Sequence, residues 1–522
     1  MSSLSDHFVS ASGQDHATPS DFSHTPSRST KLVSVFERLS SVEIEREKQK
    51  SMQPLHRLPK DNLEIQPEEF NQTIEFPKRP AWNYEMSKEQ VEQREQESFD
   101  SWMKQIEETY GQDQQLSWFE RNLEVWRQLW RVLEISDVIV LVMDIRNPLL
   151  HFPRSLYHYV TQTLKRKMIG VFNKVDLVAE FTVFAWRKYF EEQFPELHIA
   201  TFSCYPRDSK LIDDTTTYAL KNQAKRPKKR YYYAQGVKDI LGLCRDVIDK
   251  PDVQVDWHTM IAQYDHSQEE MEYDDSDSDS DTGSMDGLDD EFSRILEITG
   301  QEIKPHHDYI TLGLVGHPNV GKSSLINSIM KRTVVSASRT PGHTKHFQTI
   351  HISPHVRLCD SPGLVFPALI PKTLQILSGM YPIAQVQEPY SAIRYLAERI
   401  PLEKVLSLTP PCEFQDMKHY QWTTWSICEQ FAEQRGFFTA KAARPDVYRA
   451  ANTILRLTTD GRILLSFKPP GFFHSTKYEK LRVIEADKAS PDDTEDEEEE
   501  EERENLLVSK GGRFNVLVDF EN

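Results

Sequence analysis

The chain reads as an α/β protein, with a mostly parallel sheet carrying helices on both faces and a mainly helical region after it. Short apolar runs at 138–143, 168–172, 198–202 and Ile310–Val315 have strand length, and segments of helical periodicity separate the first three. Strands alternating with helices need crossover connections, which make the sheet parallel and cover both faces. The run at Ile310–Val315 meets the helical pattern at 324–331 through the turn Gly316-His317-Pro318-Asn319-Val320-Gly321-Lys322-Ser323. A glycine-rich turn between strand and helix is the context of a phosphate-binding loop.

The elements follow in order. Residues 1–60 are rich in Ser, Thr and His, so 1–75 is expected to be largely disordered, with a transient helix near 32–47. Helical spacing appears at 86–110 and at 118–133, where Phe119, Leu123, Trp126, Leu129, Trp130 and Leu133 share a face. Further helices are expected at 155–164, 182–194 and 236–248, and a hairpin at 346–353 and 356–359. Residues 371–475 are rich in Leu, Ala and Trp and predict a helical C-terminal domain.

The net charge of −19 is a property of two tracts. Residues 269–291 hold 12 acids and no base, and 492–504 hold 11 acids against Arg503. Such blocks repel themselves and stay solvated, which predicts a disordered insert at 262–293 and an acidic disordered tail at 476–522. The remainder is nearly neutral.

Cys204, Cys244, Cys359, Cys412 and Cys428 form no C-x-x-C pair and no zinc pattern, so reduced thiols in an intracellular chain are expected. The N-terminus has no apolar signal core, and the longest apolar run falls far short of a membrane span. A soluble monomer is expected, in cytoplasm or nucleus, with no membrane partner.

Four motifs carry chemistry. Backbone amides at Gly316, Asn319, Val320, Gly321 and Ser324, with the positive helix end, can cradle a polyphosphate; Lys322 can reach its β and γ groups and Ser323 can ligate Mg²⁺. Asp360-Ser361-Pro362-Gly363 follows a short strand, so Asp360 can hold the metal shell and the Gly363 amide can sense a γ-phosphate. Arg339-Thr340-Pro341-Gly342-His343-Thr344 lies where a switch segment would sit, with Thr344 offering a hydroxyl to Mg²⁺. Asn173-Lys174-Val175-Asp176 follows the strand at 168–172. A carboxylate there accepts from N1–H and the exocyclic amine of guanine, a donor pair that adenine lacks. The Asn amide meets the N7/O6 edge and the Lys stem lies along the base. Ser203-Cys204 could add a backbone N–H to guanine O6, or be an ordinary dipeptide after a strand.

These motifs resemble those of the Ras-like GTPases in an altered order, base reader first and phosphate loop second. That order is similar to the circularly permuted P-loop GTPases of the ribosome-assembly group. Phe76-Pro77-Lys78-Arg79-Pro80, Trp126-Arg127-Gln128-Leu129-Trp130-Arg131, Asp144-Ile145-Arg146-Asn147-Pro148 and Arg444-Pro445-Asp446-Val447-Tyr448-Arg449-Ala450-Ala451-Asn452 extend the resemblance over 76–475. It implies a GTPase domain at 76–370, with a base-reading half at 118–250 and a phosphate-binding half at 305–370.

The resemblance also implies GTP/GDP and Mg²⁺ as ligands, and pre-ribosomal particles or ribosomal RNA and proteins as partners. Leu364 stands where Ras-like enzymes often hold a water-orienting Gln, which implies slow intrinsic hydrolysis stimulated by a partner, or a nucleotide-stabilised scaffold with negligible turnover. Asn319 matches a position linked to K⁺-assisted turnover, and could equally brace the loop. The basic cluster Lys225-Arg226-Pro227-Lys228-Lys229-Arg230 reads as a nucleic-acid contact, an import signal or a solvated loop. Arg146 is expected to reach the nucleotide or a partner, or to form a surface ion pair.

Overall fold

Strand β1 (Val138–Asp144) is apolar from Val138 to Met143 because both of its faces are covered. Ile139, Leu141 and Met143 join one buried cluster, while Val138, Val140 and Val142 join a second on the opposite face. The computed structural model describes residues 39–66, 73–83, 85–111, 116–205, 234–251, 253–264, 309–335, 347–411, 420–440 and 444–482. With β1 stand β2 (Lys167–Asn173), β3 (Leu197–Phe202), β4 (Ile310–Val315), β5 (Gln348–Ser353) and β6 (Val356–Asp360). They form one six-stranded sheet in the order β3-β2-β1-β4-β6-β5.

Every neighbouring pair is parallel except the hairpin β5–β6. The first three strands make one half of the sheet and the last three the other, and β1 pairs with β4 at the seam. A parallel register lines up the carboxyl ends, with Asp144 opposite Asn173, Asn173 opposite Phe202, and Leu314 opposite Asp360. Loops leaving those ends share one rim, where open α/β sheets bind ligands.

Helix α1 (Ser41–Ser51) precedes the sheet, as do α2 (Lys88–Tyr110) and α3 (Leu123–Ile135); α4 (Glu180–Gln193), α5 (Val237–Val247) and α6 (Lys322–Met330) follow their strands. The first two begin at serine caps with a reciprocal Glu or Gln three residues on. Helices α3 and α4 contribute to the first buried cluster, and α5 and α6 to the second. The expected helix at 155–164 forms as an α-turn, Arg154–His158, running into a π-turn, Tyr159–Thr163. The C-terminal region carries α7 (Lys372–Leu377), α8 (Tyr390–Arg399), α9 (Thr424–Arg435) and α10 (Val447–Thr459).

Three boundaries differ from expectation. Residues 39–66, expected within a disordered stretch, form α1 and a backbone clamp on the helical region: Leu55 N donates to Trp422 O at 3.0 Å and Leu58 N to Glu398 O at 2.8 Å. Polar composition conceals such docking, because main-chain groups make the bonds. Tyr264, expected within the insert, has its hydroxyl on the Ile329 carbonyl. Tyr478, expected within the tail, is buried against Phe472 with ring centroids 5.5 Å apart. Both acidic tracts, Cys412, Thr344 and Lys225–Arg230 lie outside the described residues.

The aromatic node at Trp126 ties these layers together. Its ring centroid lies 5.5 Å from Phe366, 5.8 Å from Trp102 and 6.1 Å from Phe76, and Nε1 donates to Glu120 O at 2.9 Å. Truncating a large buried aromatic removes its transfer free energy and leaves a cavity. Trp126→Ala is expected to lower stability by about 3–5 kcal/mol, seen as a lower urea midpoint with an unchanged slope.

Candidate functional site

The turn after β4 is the centre of the site. Helix α6 starts at Gly321, whose φ of +98° favours glycine and which offers no capping side chain. The first amides of the helix therefore point outward without an intrahelical acceptor, at its positive end. A Cβ at Gly321 would come within 2.2 Å of Asn173 Nδ2, so only glycine lets the two loops meet.

They meet through named bonds. Asn173 Nδ2 donates to Val320 O at 2.6 Å, and Lys174 Nζ donates to Asn319 O at 2.8 Å. The expected base reader and phosphate loop, nearly opposite in chain order, are thus neighbours in space. Asp176 follows in a short 3-10 turn, Val175–Leu177, and Ser203 Oγ donates to its Oδ1 at 2.5 Å.

The Ser203 N–H donates to Gln235 O at 3.1 Å, which engages one of the two amides of the Ser203-Cys204 pair. The Ser203 hydroxyl orients Asp176. The Cys204 thiol sits 3.8 Å from Ser328 Oγ, with the Ser324 hydroxyl also bonding to it, and burial pushes it up to about 11.

Lys322 and Asp360 form the charged floor. Lys322 is buried and donates to Gly316 O and His317 O, both at 2.9 Å. Burial lowers its ammonium to about 8, with Asp360 opposing that shift. Asp360 is fully buried, and neither carboxylate oxygen has a hydrogen-bond partner among the described residues. Burial raises it to about 6, against the pull of Lys322. Gly363 lies against the loop, where a Cβ would approach Pro318 Cα to 2.8 Å. Leu364 is buried, with its N–H on Gly316 O at 3.3 Å.

The Mg²⁺ that a phosphate-loop fold implies fits this donor set. Two unpartnered carboxylate oxygens at the end of β6 suit a hard cation, as does the Ser323 hydroxyl at the start of α6. Among the described residues, no group of three or more His, Cys, Asp or Glu side chains could hold a metal. A cation there needs phosphate oxygens to complete its shell.

Several contacts around the site go beyond what the sequence indicated. Arg146 is buried rather than on the surface, and it bonds Asp144 and the end of α10. Asn319, with φ of +59°, donates from Nδ2 to Gly379 O at 2.8 Å, which braces the loop against the helical region. His317 and His151 stack edge to face at 5.6 Å behind the loop. Burial drives His317 well below the usual range and His151 to about 4. The Asp-Ile-Arg-Asn-Pro stretch was the available signal for Asp144 and Arg146; nothing in the sequence marked Gly379.

Asp360 makes the stability of the nucleotide-free protein depend on pH. Its carboxyl is raised above the ordinary 3.8, so the folded state holds the proton longer than the unfolded one. Its ionisation therefore costs stability as pH rises from about 4 to about 6. Without nucleotide, Asp360→Asn is expected to be more stable than wild type by about 1–2 kcal/mol at pH 7.5. The gap should close at pH 4.5, as read by urea denaturation of both proteins.

Comparison with known proteins agrees with this geometry. Residues 311–399, from β4 to the end of α8, match a family model described as 50S ribosome-binding GTPase. Guanine nucleotide-binding protein-like 1 of Homo sapiens is 44% identical over 84% of this chain and 72% of its own length. The Macaca fascicularis protein of the same name gives the same figures. The Mus musculus large subunit GTPase 1 homolog is 32% identical over 77% of this chain and 67% of its own. No helix among the described residues is long and apolar enough to cross a membrane. The chain belongs to the guanine nucleotide-binding protein-like 1 family of circularly permuted GTPases.

Proposed function

We propose that this protein is a slow, Mg²⁺-dependent GTP hydrolase that works as a molecular switch in ribosome subunit assembly. The carrying observation is the meeting of two loops on one rim: Asn173 Nδ2 lies 2.6 Å from Val320 O, beside the uncapped start of α6. One ligand can span that junction with a purine at Asp176 and phosphates at Gly316–Ser324.

In this reading the amides of Asn319, Val320, Gly321 and Ser324 hold the phosphates, and Lys322 exchanges its loop carbonyls for β and γ oxygens. Asp176, oriented by Ser203, accepts from N1–H and the exocyclic amine. Ser323, Asp360 and Thr344 would hold Mg²⁺, which would supply neutralisation of the charge developing on the phosphates. Water attacks the γ-phosphate in line. The Gly363 amide lies where it can report that phosphate to the segment after it. The Leu364 side chain neither donates nor accepts, and its burial leaves the attacking water without a side-chain guide at that position. That is the ground for slow turnover and for stimulation by a partner.

The ribosomal role rests on the description of the matching family and on the name of the mouse relative. A second reading, a GTP-stabilised scaffold with negligible turnover, is favoured by Leu364 alone. Phosphate release over many turnovers, with and without ribosomal subunits and K⁺, separates the two. Stimulation supports the switch, and none under any condition supports the scaffold.

Two variants test the sites. Asp176→Asn is expected to transfer preference from guanine to xanthine nucleotides, since the amide donates to the xanthine 2-carbonyl; unchanged guanine affinity would refute the base site. Lys322→Ala is expected to weaken triphosphate binding by about 2–3 kcal/mol through loss of a charge-assisted contact. Calorimetric titration with GTP reads that loss directly.

A further inference from the structure

Asp144 closes β1 with a buried carboxylate that serves two cations. Its Oδ2 lies 2.8 Å from Lys174 Nζ and 2.8 Å from Arg146 Nη2. Its Oδ1 accepts from Arg146 N and Nε, each at 3.0 Å. Burial alone would raise this carboxyl, but Arg146 and Lys174 hold it well below the usual range.

The two cations lead in opposite directions. Lys174 continues to the phosphate loop through Asn319 O. Arg146 continues to the helical region, where Nη1 donates to Thr458 O at 2.8 Å and Nη2 to Thr459 O at 3.3 Å. Those carbonyls end α10, the negative pole of the helix, and a guanidinium there is doubly favoured.

The base-reading loop needs such support. Lys174 has φ of +64° and ψ of +34°, a left-handed conformation that costs a side-chain-bearing residue free energy unless its surroundings hold it. One turn on, Leu177 packs against Gly461, immediately after α10, where a Cβ would approach Leu177 Cδ1 to 2.7 Å. Thus both the lysine and the leucine flanking Asp176 are supported from β1 and from α10.

We infer that Asp144 is a positioning residue for guanine recognition: it fixes Lys174 along the base face, and Arg146 makes that fixation depend on α10. This rests on the base site proposed above. Loss of Asp144 frees the Lys174 stem and should weaken base binding while leaving the phosphate cradle of α6 in place. A residue needed only for folding would not discriminate between the two ends of the nucleotide.

The test is competition of GDP and of inorganic tripolyphosphate against a fluorescent guanine nucleotide. Wild type, Asp144→Asn, Asp144→Asn/Arg146→Met and Asp176→Asn are compared. The double variant removes both buried charges and so avoids stranding Arg146 unpaired, the main folding hazard of the single change. Asp144→Asn is expected to weaken GDP about tenfold, as loss of a charged hydrogen-bond partner would, with tripolyphosphate affinity within about twofold of wild type. The double variant should show the same selective loss.

Wild-type GDP affinity in both Asp144 variants overturns the inference. Equal loss of GDP and tripolyphosphate also overturns it, by assigning Asp144 to the fold alone. If Asp176→Asn binds GDP like wild type, the base site itself is wrong. If Asp176→Asn fails while the Asp144 variants bind normally, only the positioning role falls.

Discussion

The contact on which the molecule turns is the bond from the Asn173 amide to the Val320 carbonyl, made across the seam between β1 and β4. Everything on the base side comes early in the chain, and everything on the phosphate side comes late. A parallel sheet is indifferent to that order, because the register of strands, and not their sequence position, fixes which carboxyl ends share a rim. Permutation therefore preserves the site. It changes what is attached to it.

What is attached is the helical region. In this chain the segment after Gly363 does not return to the sheet but runs out to α7. On the way it is stitched to residues 116–120: Ser117 N donates to Ala368 O and Glu120 N to Val365 O, each at 3.0 Å. Gln375 then clasps both backbone groups of Trp118, at 3.1 and 2.7 Å. The helical region also grips the phosphate loop through Gly379 O, Arg146 after β1 through the end of α10, and Leu177 through Gly461. Nucleotide-dependent order in a switch segment is a familiar way of moving attached elements; here three separate tethers surround the proposed ligand. A change at the phosphates thus has short, bonded routes into residues 371–475.

Much of this was legible in the sequence, for physical reasons. Strands buried on both faces must be apolar along most of their length, and the central residues of β1, β2 and β4 are. A glycine-rich turn ahead of a helix declares itself by composition, and Asn-Lys-x-Asp after a strand does so by spacing. The helices followed from periodicity, because α3 must bury one face.

The rest depended on partners distant in sequence. Whether Arg146 is exposed or buried cannot be read from Asp-Ile-Arg-Asn-Pro, since its acceptors, Thr458 and Thr459, are backbone carbonyls far along the chain. The docking of 39–66 escaped notice for the same reason, because main-chain bonds leave no mark in side-chain composition. The pairing of the Ser203 hydroxyl with Asp176, and of its amide with Gln235, likewise joins residues far apart in the chain.

Both loops are proposed to hold one guanine nucleotide, and a crystal structure with GDP and Mg²⁺ bound decides it. The expected result is guanine N1 and the exocyclic amine within hydrogen-bond reach of the Asp176 carboxylate, and the β-phosphate on the amides that open α6. Phosphates seated on α6 with the base directed away from Asn173 and Asp176 would contradict it.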